Sequence, residues 1–347
     1  MRSIVFCGGG TMGHVMVHLS VYPYLKDFAD EFYYIGSKGG VEKKHVQSVF
    51  DYREIDAVKF DRSKPYTIFS IPFKLQKAVT QAKDILKKIK PSVVFCGGGY
   101  VCVPVAIAAK KLKIPVILHE SDLTVGLANK ISLLVCEKII TTFPDTLQNN
   151  PKAICCGAPV RRELFSGSRR EALKTFGLKG EKPVLLVIGG SKGSAALNTA
   201  VKNSLDVLLN EYEILHICGS DHTSDMAADG YRQFPYITDM AKAYAATDLA
   251  LSRCGSNTAF ELIALNIPTL FVPLSKKASR GDQIENAEFF EKNHVARVCQ
   301  EEELNEKSLP IELLKLKMQS KRLKNNMKKF IDTGANEKIA EILKKYL

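Results

Sequence analysis

The sequence predicts an α/β protein of two domains, each a parallel sheet wrapped by helices, on three observations. Short apolar runs of strand length alternate with helical patterns from end to end, as they do where crossover helices link parallel strands. A chain of 347 residues exceeds what one ordinary core organises, so two cores are expected. Three of the strand patterns run straight into glycines, at Gly8-Gly9-Gly10, Gly97-Gly98-Gly99 and Gly189-Gly190, the strand ends where open parallel sheets bind ligands.

In the first half the candidate strands are residues 3–7, 31–35, 92–96, 115–119 and 138–143. In the second they are 184–188, 213–218, 249–253, 269–272 and 295–299. Each is rich in Val, Ile, Leu or Phe and carries little charge, which suits strands covered on both faces. The polar stretch 161–182, followed by Pro183, reads as the join between a first domain over 1–160 and a second over 161–333. An amphipathic terminal helix over 334–347 has the option of packing back on the first domain.

Composition narrows the function classes. With 46% hydrophobic and 25% charged residues the chain can bury a large core, which excludes disorder. The nine cysteines, at 7, 96, 102, 136, 155, 156, 218, 254 and 299, show no C-x-x-C spacing and read as small buried hydrophobes rather than metal ligands or disulfides. The first residues pass directly into a strand, leaving no room for a signal peptide, and no apolar run reaches the ~18 residues that cross a bilayer. A cytosolic setting is expected. The net charge of +12 asks for an anionic partner. Without Trp, zinc-finger spacing or an aromatic-basic repeat, nucleic acid is disfavoured, and a phosphate or lipid headgroup is the better expectation.

Gly8-Gly9-Gly10-Thr11-Met12-Gly13 satisfies G-x-G-x-x-G, but the second strand ends in Ile35-Gly36-Ser37-Lys38, without the acidic side chain that holds a dinucleotide's ribose. The loop is followed at once by His14 at the start of a helix, where an imidazole can take a proton from a bound hydroxyl. His18, four residues on, reads as structural. In the second half, Gly189-Gly190-Ser191-Lys192-Gly193-Ser194 lacks the G-K-[ST] ending of a P-loop, yet its amides and Ser191 suit a diphosphate. Residues 252–261 join a strand to a helix, placing Ser256, Asn257 and Thr258 for phosphate oxygens and Glu261 for a ribose diol. Arg280-Gly281-Asp282-Gln283 with Asn286 reads either as a helix cap or as a set of contacts for sugar hydroxyls. Residues 59–90 mix Ile68, Phe69, Ile71, Phe73 and Leu75 with Lys74, Lys77, Lys83, Lys87, Lys88 and Lys90, which suits either a core-covering helix or docking on an anionic membrane surface. The two glycine-bearing halves together suggest a nucleotide-diphosphate donor held in a cleft between domains.

Gly9-Gly10-Thr11-Met12-Gly13-His14, Gly98-Gly99-Tyr100-Val101, His119-Glu120-Ser121-Asp122 with Gly126-Leu127-Ala128-Asn129-Lys130, Gly157-Ala158-Pro159-Val160-Arg161, Gly189-Gly190-Ser191 and Gly281-Asp282-Gln283 with Asn286-Ala287 together resemble the MurG family over nearly the whole chain. These are bacterial UDP-GlcNAc transferases of peptidoglycan synthesis. The resemblance implies a GT-B fold of two Rossmann-like domains and an inverting transfer with no catalytic metal or cofactor. It implies UDP-GlcNAc as donor, undecaprenyl-pyrophosphoryl-MurNAc-pentapeptide as acceptor through its 4-hydroxyl, and peripheral attachment at the cytoplasmic face of the membrane. Carried over by position, His14 is the general base, with Thr11, Met12 and Gly13 beside the acceptor and donor sugar. Arg161 and Ser191 contact phosphate, Ile237 reads the uracil through its backbone, residues 256–261 hold phosphate and ribose, and Gln283 holds a sugar hydroxyl. The chain departs from the family's pattern at Met12, often Gly, at Val15-Met16-Val17-His18, usually a segment with proline, at Asp122, often Asn, and at Gly281-Asp282-Gln283, where other members have paired glutamines. Asp122 is thereby expected to assist or orient His14, or only to make a different hydrogen bond. A diacylglycerol glycosyltransferase, a UDP-GlcNAc 2-epimerase, a nucleotide-sugar-binding scaffold and an NAD-binding protein are the alternatives.

Overall fold

The computed structural model describes residues 2–57, 71–190, 193–223, 228–276, 279 and 281–347. The chain divides into two compact units, one of residues 1–159 with 332–347 and one of residues 160–331. Each is built on a parallel sheet.

In the first unit the strands are β1 (Ser3–Cys7), β2 (Glu31–Ser37), β3 (Asp51–Ile55), β4 (Val93–Cys96), β5 (Val116–Glu120), β6 (Lys138–Thr141) and β7 (Ala153–Cys155). Their spatial order is β3-β2-β1-β4-β5-β6-β7, so the order reverses between β1 and β4. The central strands β1, β4 and β5 are buried at every residue, because helices cover both faces. On one face helices Ile71–Ile89 and Cys102–Lys111 pack Val79, Leu86 and Val105 against Val5, Val94 and Leu118. On the other, helix Gly13–Val21 and the terminal helix Ala335–Lys344 bring Val17, Ile339 and Leu343 against Ile4, Phe6 and Phe95. The terminal helix therefore belongs to the core of the first unit, although 172 residues of the second unit precede it.

The second unit holds β8 (Val184–Ile188), β9 (Glu213–Ile217), β10 (Tyr231–Phe234), β11 (Leu249–Ser252), β12 (Thr269–Phe271) and β13 (Arg297–Val298), in the order β10-β9-β8-β11-β12-β13. Its reversal point lies between β8 and β11. The polar stretch 161–182 is not a bare connection: helix Arg169–Phe176 forms within it, capped by Ser168 and stopped by Gly177 in the left-handed conformation at φ 64°.

Three strands lie outside the predicted set. β3, β7 and β10 are sheet edges: β3 and β10 carry partly exposed polar residues, and β7 is only three residues long, so none presents an apolar run of ordinary strand length. The run predicted over 295–299 pairs only at Arg297 and Val298, because it too is an edge.

Candidate functional site

In the first unit the loops after β1 and β4, which flank the reversal point, close around one side chain. Helix Gly13–Val21 carries His14 in its first turn. Its Nδ1 lies 2.9 Å from the Gly9 carbonyl oxygen and 3.2 Å from Thr11 Oγ1. A carbonyl only accepts, so Nδ1 carries the hydrogen and the neutral ring keeps its lone pair on Nε2. The glycines enforce this pose. A Cβ on Gly98 would meet His14 Cδ2 at 2.8 Å, and one on Gly99 would meet the Gly9 oxygen at 2.2 Å and His14 Nδ1 at 2.8 Å. Both adopt positive φ, 106° and 85°, which a side chain would strain. The first-half glycines thus serve close packing around His14, a need not read from the sequence, which marked Gly8-Gly9-Gly10 only as a ligand-binding strand end.

Beneath and beside this loop lie carboxylates that sequence reasoning missed. Glu42 is fully buried, and its Oε1 accepts from the amide and hydroxyl of Ser37, both at 2.7 Å. A Cβ on Gly9 would stand 2.8 Å from the same oxygen, so Glu42 supports the strand of the loop that holds His14. Glu120, at the end of β5, accepts from the amides of Asp122 at 3.2 Å and Gly126 at 2.8 Å and from Asn129 Nδ2 at 2.9 Å. Burial pushes the Glu120 carboxyl above its usual range, and these donors oppose the rise. Asp122 is held through its backbone in that turn, where its carbonyl also lies within 3.4 Å of Thr146 Oγ1. His18 is a core residue, stacked on Phe6 at 5.0 Å between centroids, and burial pushes its imidazole down to about 3. Thr11 and Met12 precede the helix, with Met12 at its N-cap, and Gly13 is its first residue.

The corresponding loops of the second unit behave differently. A Cβ added at Gly190 or Gly255 would have no described atom within 4 Å. Gly255, at φ −71° and ψ 133°, needs neither unusual backbone nor close packing, so its bareness leaves room for a ligand to approach the main chain. It is the N-cap of helix Ser256–Ala264, whose first-turn amides, at Ser256, Asn257 and Thr258, form the positive end of the helix dipole. Glu261, on the same helix, accepts from the Tyr244 hydroxyl at 2.8 Å and from Arg161 Nη2 at 3.4 Å. Burial pushes the Glu261 carboxyl up, with Arg161 opposing. Arg161 Nε is itself buried without a hydrogen-bond partner among the described residues, a donor suited to an anion.

Ser191 and Lys192 lie outside the described residues, as do Arg280, Ile68 and Phe69. Gly193 is required by packing, since a Cβ there would sit 1.9 Å from the Cys218 carbonyl oxygen. The same carbonyl accepts from Asn198 Nδ2 at 2.9 Å, and Asn198 Oδ1 accepts from His216 Nε2 at 2.9 Å. This buried network anchors the loop after β8 and had no signal in the sequence, because His216 lies within an ordinary apolar strand. Ile237 is nearly buried in the connection after β10. Gln283, on helix Asp282–Lys292, accepts from the Leu274 amide at 3.0 Å and so braces the turn after β12.

Comparison with known proteins follows this geometry. The profile of the glycosyltransferase family 28 N-terminal domain matches residues 4–141, and that of the family's C-terminal domain matches residues 184–346. A UDP-N-acetylglucosamine--N-acetylmuramyl-(pentapeptide) pyrophosphoryl-undecaprenol N-acetylglucosamine transferase of Oceanobacillus iheyensis is 46% identical over 348 residues, covering 99% of this chain and 98% of its own. Among solved structures, Acinetobacter baumannii MurG superposes with a TM-score of 0.76 at 26% identity, covering 99% of this chain and 100% of its own. A UDP-GlcNAc 2-epimerase from Neisseria meningitidis, bound to UDP-GlcNAc, reaches a TM-score of 0.68 at 13% identity, covering 99% and 100%, and shares the fold alone. With both domain profiles matched in order and that identity sustained from end to end, the chain belongs to glycosyltransferase family 28, among the N-acetylglucosaminyltransferases of the MurG type.

Proposed function

We propose that this chain moves N-acetylglucosamine from UDP-GlcNAc to the 4-hydroxyl of undecaprenyl-pyrophosphoryl-MurNAc-pentapeptide, completing the lipid-linked disaccharide precursor of peptidoglycan. The observation that carries the reading is the 2.9 Å contact of His14 Nδ1 with the Gly9 carbonyl oxygen. The Nδ1–H is committed to the Gly9 carbonyl, which leaves Nε2 free to take the proton of an attacking hydroxyl. The hydroxyl attacks the anomeric carbon with inversion as the bond to the UDP oxygen breaks, through an oxocarbenium-like state. Charge then grows on the diphosphate.

The second unit carries the groups that meet that charge. Arg161 and the first turn of helix Ser256–Ala264, with Asn257 and Thr258, hold the phosphates and are oriented before the reaction begins, and Ser191 adds a further phosphate contact. Glu261, fixed by Tyr244 and Arg161, takes the ribose diol. Ile237 reads the uracil through its backbone, and Gln283 holds a donor-sugar hydroxyl. On the first unit Thr11, Met12 and Gly13 line the reacting groups, and Asp122, in the Glu120 turn, assists or orients His14.

Attachment to an anionic membrane surface at the cytoplasmic face is part of the proposal. No described helix is long and apolar enough to cross a membrane. Helix Ile71–Ile89 keeps Phe73 81% exposed next to Lys74 and Lys77, while Val79, Ala82 and Leu86 occupy its buried face. Phe73→Ser is expected to lower sedimentation with anionic liposomes about tenfold at an unchanged melting temperature, and unaltered sedimentation removes this surface from the reading.

UDP release tests the whole reading, measured with UDP-GlcNAc with and without the muramoyl lipid, with UDP-glucose and diacylglycerol as controls. Release that needs both the GlcNAc donor and the muramoyl lipid is expected. Release with diacylglycerol reassigns the acceptor, conversion of UDP-GlcNAc without acceptor points to an epimerase, and binding without turnover points to a scaffold.

A further inference from the structure

Cys7, Cys96 and Cys102 come together where β1, β4 and helix Cys102–Lys111 meet. Their sulfur atoms all lie within 4.8 Å of one another, and all three residues are fully buried. Topology produces the cluster. Cys7 and Cys96 end neighbouring parallel strands and pair in register, and Cys102 opens the helix that follows Gly97-Gly98-Gly99. Cys102 Sγ lies 3.2 Å from the Cys7 carbonyl oxygen and 3.1 Å from that of Gly98. Val5, Val94, Val101 and Val105 belong to the same core cluster.

Charge decides which ion three such thiols suit. Soft thiophilic ions are the ones that thiolates select. A divalent ion on three thiolates leaves one negative charge in the core, and a monovalent ion leaves two, each strongly unfavourable without a partner. A trivalent ion on three thiolates is neutral.

We propose that Cys7, Cys96 and Cys102 form a binding site for a trivalent thiophilic ion, with arsenic(III) as its probe. Uptake from arsenous acid balances without a redox step. Three As–O bonds break and three As–S bonds form, each departing hydroxide takes the proton of one thiol, and three waters leave while arsenic stays trivalent. Reagent and product are both uncharged, so no charge is buried, and access requires only local opening of the loop over residues 97–101. The site lies at the root of both loops that grip His14, since Gly8 follows Cys7 and Gly97 follows Cys96. Drawing three sulfurs onto one atom moves both strand ends.

The test uses the full chain carrying Cys155→Ser and Cys156→Ser, which removes the adjacent pair containing the exposed Cys155. The reduced protein is treated with arsenite and desalted, bound arsenic is measured by mass spectrometry, and sulfur neighbours are counted by X-ray absorption. One arsenic per chain with three sulfurs is expected, lost in Cys102→Ser and kept in Cys299→Ser. No retained arsenic, a two-sulfur site, or retention in Cys102→Ser overturns the proposal, and the sulfur count is read on the parent chain without needing the variant to fold. The loaded chain is also expected to lose about 10²-fold in UDP release, the effect of displacing a reacting group by about 1 Å. Undiminished release overturns the link to His14 and leaves the binding result to stand or fall on the sulfur count.

Discussion

The two units share a plan and use it in opposite ways. Each is a parallel sheet whose strand order reverses once, between β1 and β4 in the first and between β8 and β11 in the second, and each places glycine loops at that reversal. In the first, protein fills the space beside the glycines: Gly97, Gly98 and Gly99 are pressed against the backbone or ring of His14. In the second, a Cβ on Gly190 or Gly255 would meet no described atom within 4 Å, while Gly189 and Gly193 are packed, against Ser194 and Cys218. A glycine loop at a strand end is therefore ambiguous between holding a catalytic side chain and admitting a ligand to the main chain. What lies within van der Waals reach of the missing Cβ decides.

The largest test of this contrast is His14→Ala. With the imidazole cut back to a methyl, turnover is expected to fall about 10²- to 10⁴-fold while UDP binding, a property of the second unit, is kept. Near-normal turnover would falsify the base role and leave the cradle with a purely structural purpose.

Next come two glycine substitutions that should separate. Gly99→Ala forces a side chain into a left-handed backbone at about 1–2 kcal/mol and onto the Gly9 oxygen, so a clear drop in melting temperature is expected. Gly255→Ala meets no neighbour, so its melting temperature should hold while the KM for UDP-GlcNAc rises about tenfold. Equal thermal losses in both would erase the distinction between packed and open loops.

A milder effect belongs to Glu261→Gln. It keeps the shape but weakens the acceptor that meets Tyr244 and Arg161, and a rise of about tenfold in donor KM with little change in kcat is expected. A fall in kcat at constant KM would instead move Glu261 into the chemistry.

The smallest expected difference concerns acid. Burial lowers His18 and His119 to about 3 and His216 to about 4, from an ordinary value of 6.5. Between those values the unfolded chain binds protons that the folded chain refuses. Their contribution to stability is therefore complete above pH 6.5 and is lost as pH falls toward 3. Two of the three lie in the first unit, so hydrogen exchange at pH 5 against pH 7.5 should show earlier loss of protection in residues 3–21 and 116–120 than in residues 184–217. Parallel losses would mean that other groups govern the acid limit.

Much of this was legible before any coordinates. β1, β4, β5, β8, β9 and β11 announce themselves as apolar runs because central strands of a parallel sheet are covered on both faces, and His14 and Glu261 stand out by their places just after strand-end glycines. β3 and β10 did not, since edge strands are free to carry polar residues, nor did β7, an edge strand of only three residues.

The sequence by itself determined the fold class, the number of sheets and the residues in which to look for chemistry, because periodicity and glycine placement are local properties of the chain. Only the tertiary structure decided which glycines pack and which stay open, that Glu42 supports the His14 loop, that Arg161 meets Glu261 from 100 residues away, and that Cys7, Cys96 and Cys102 share one small volume. Those contacts form when parallel strands distant in sequence are laid side by side, and no local pattern along the chain records which neighbours that pairing brings.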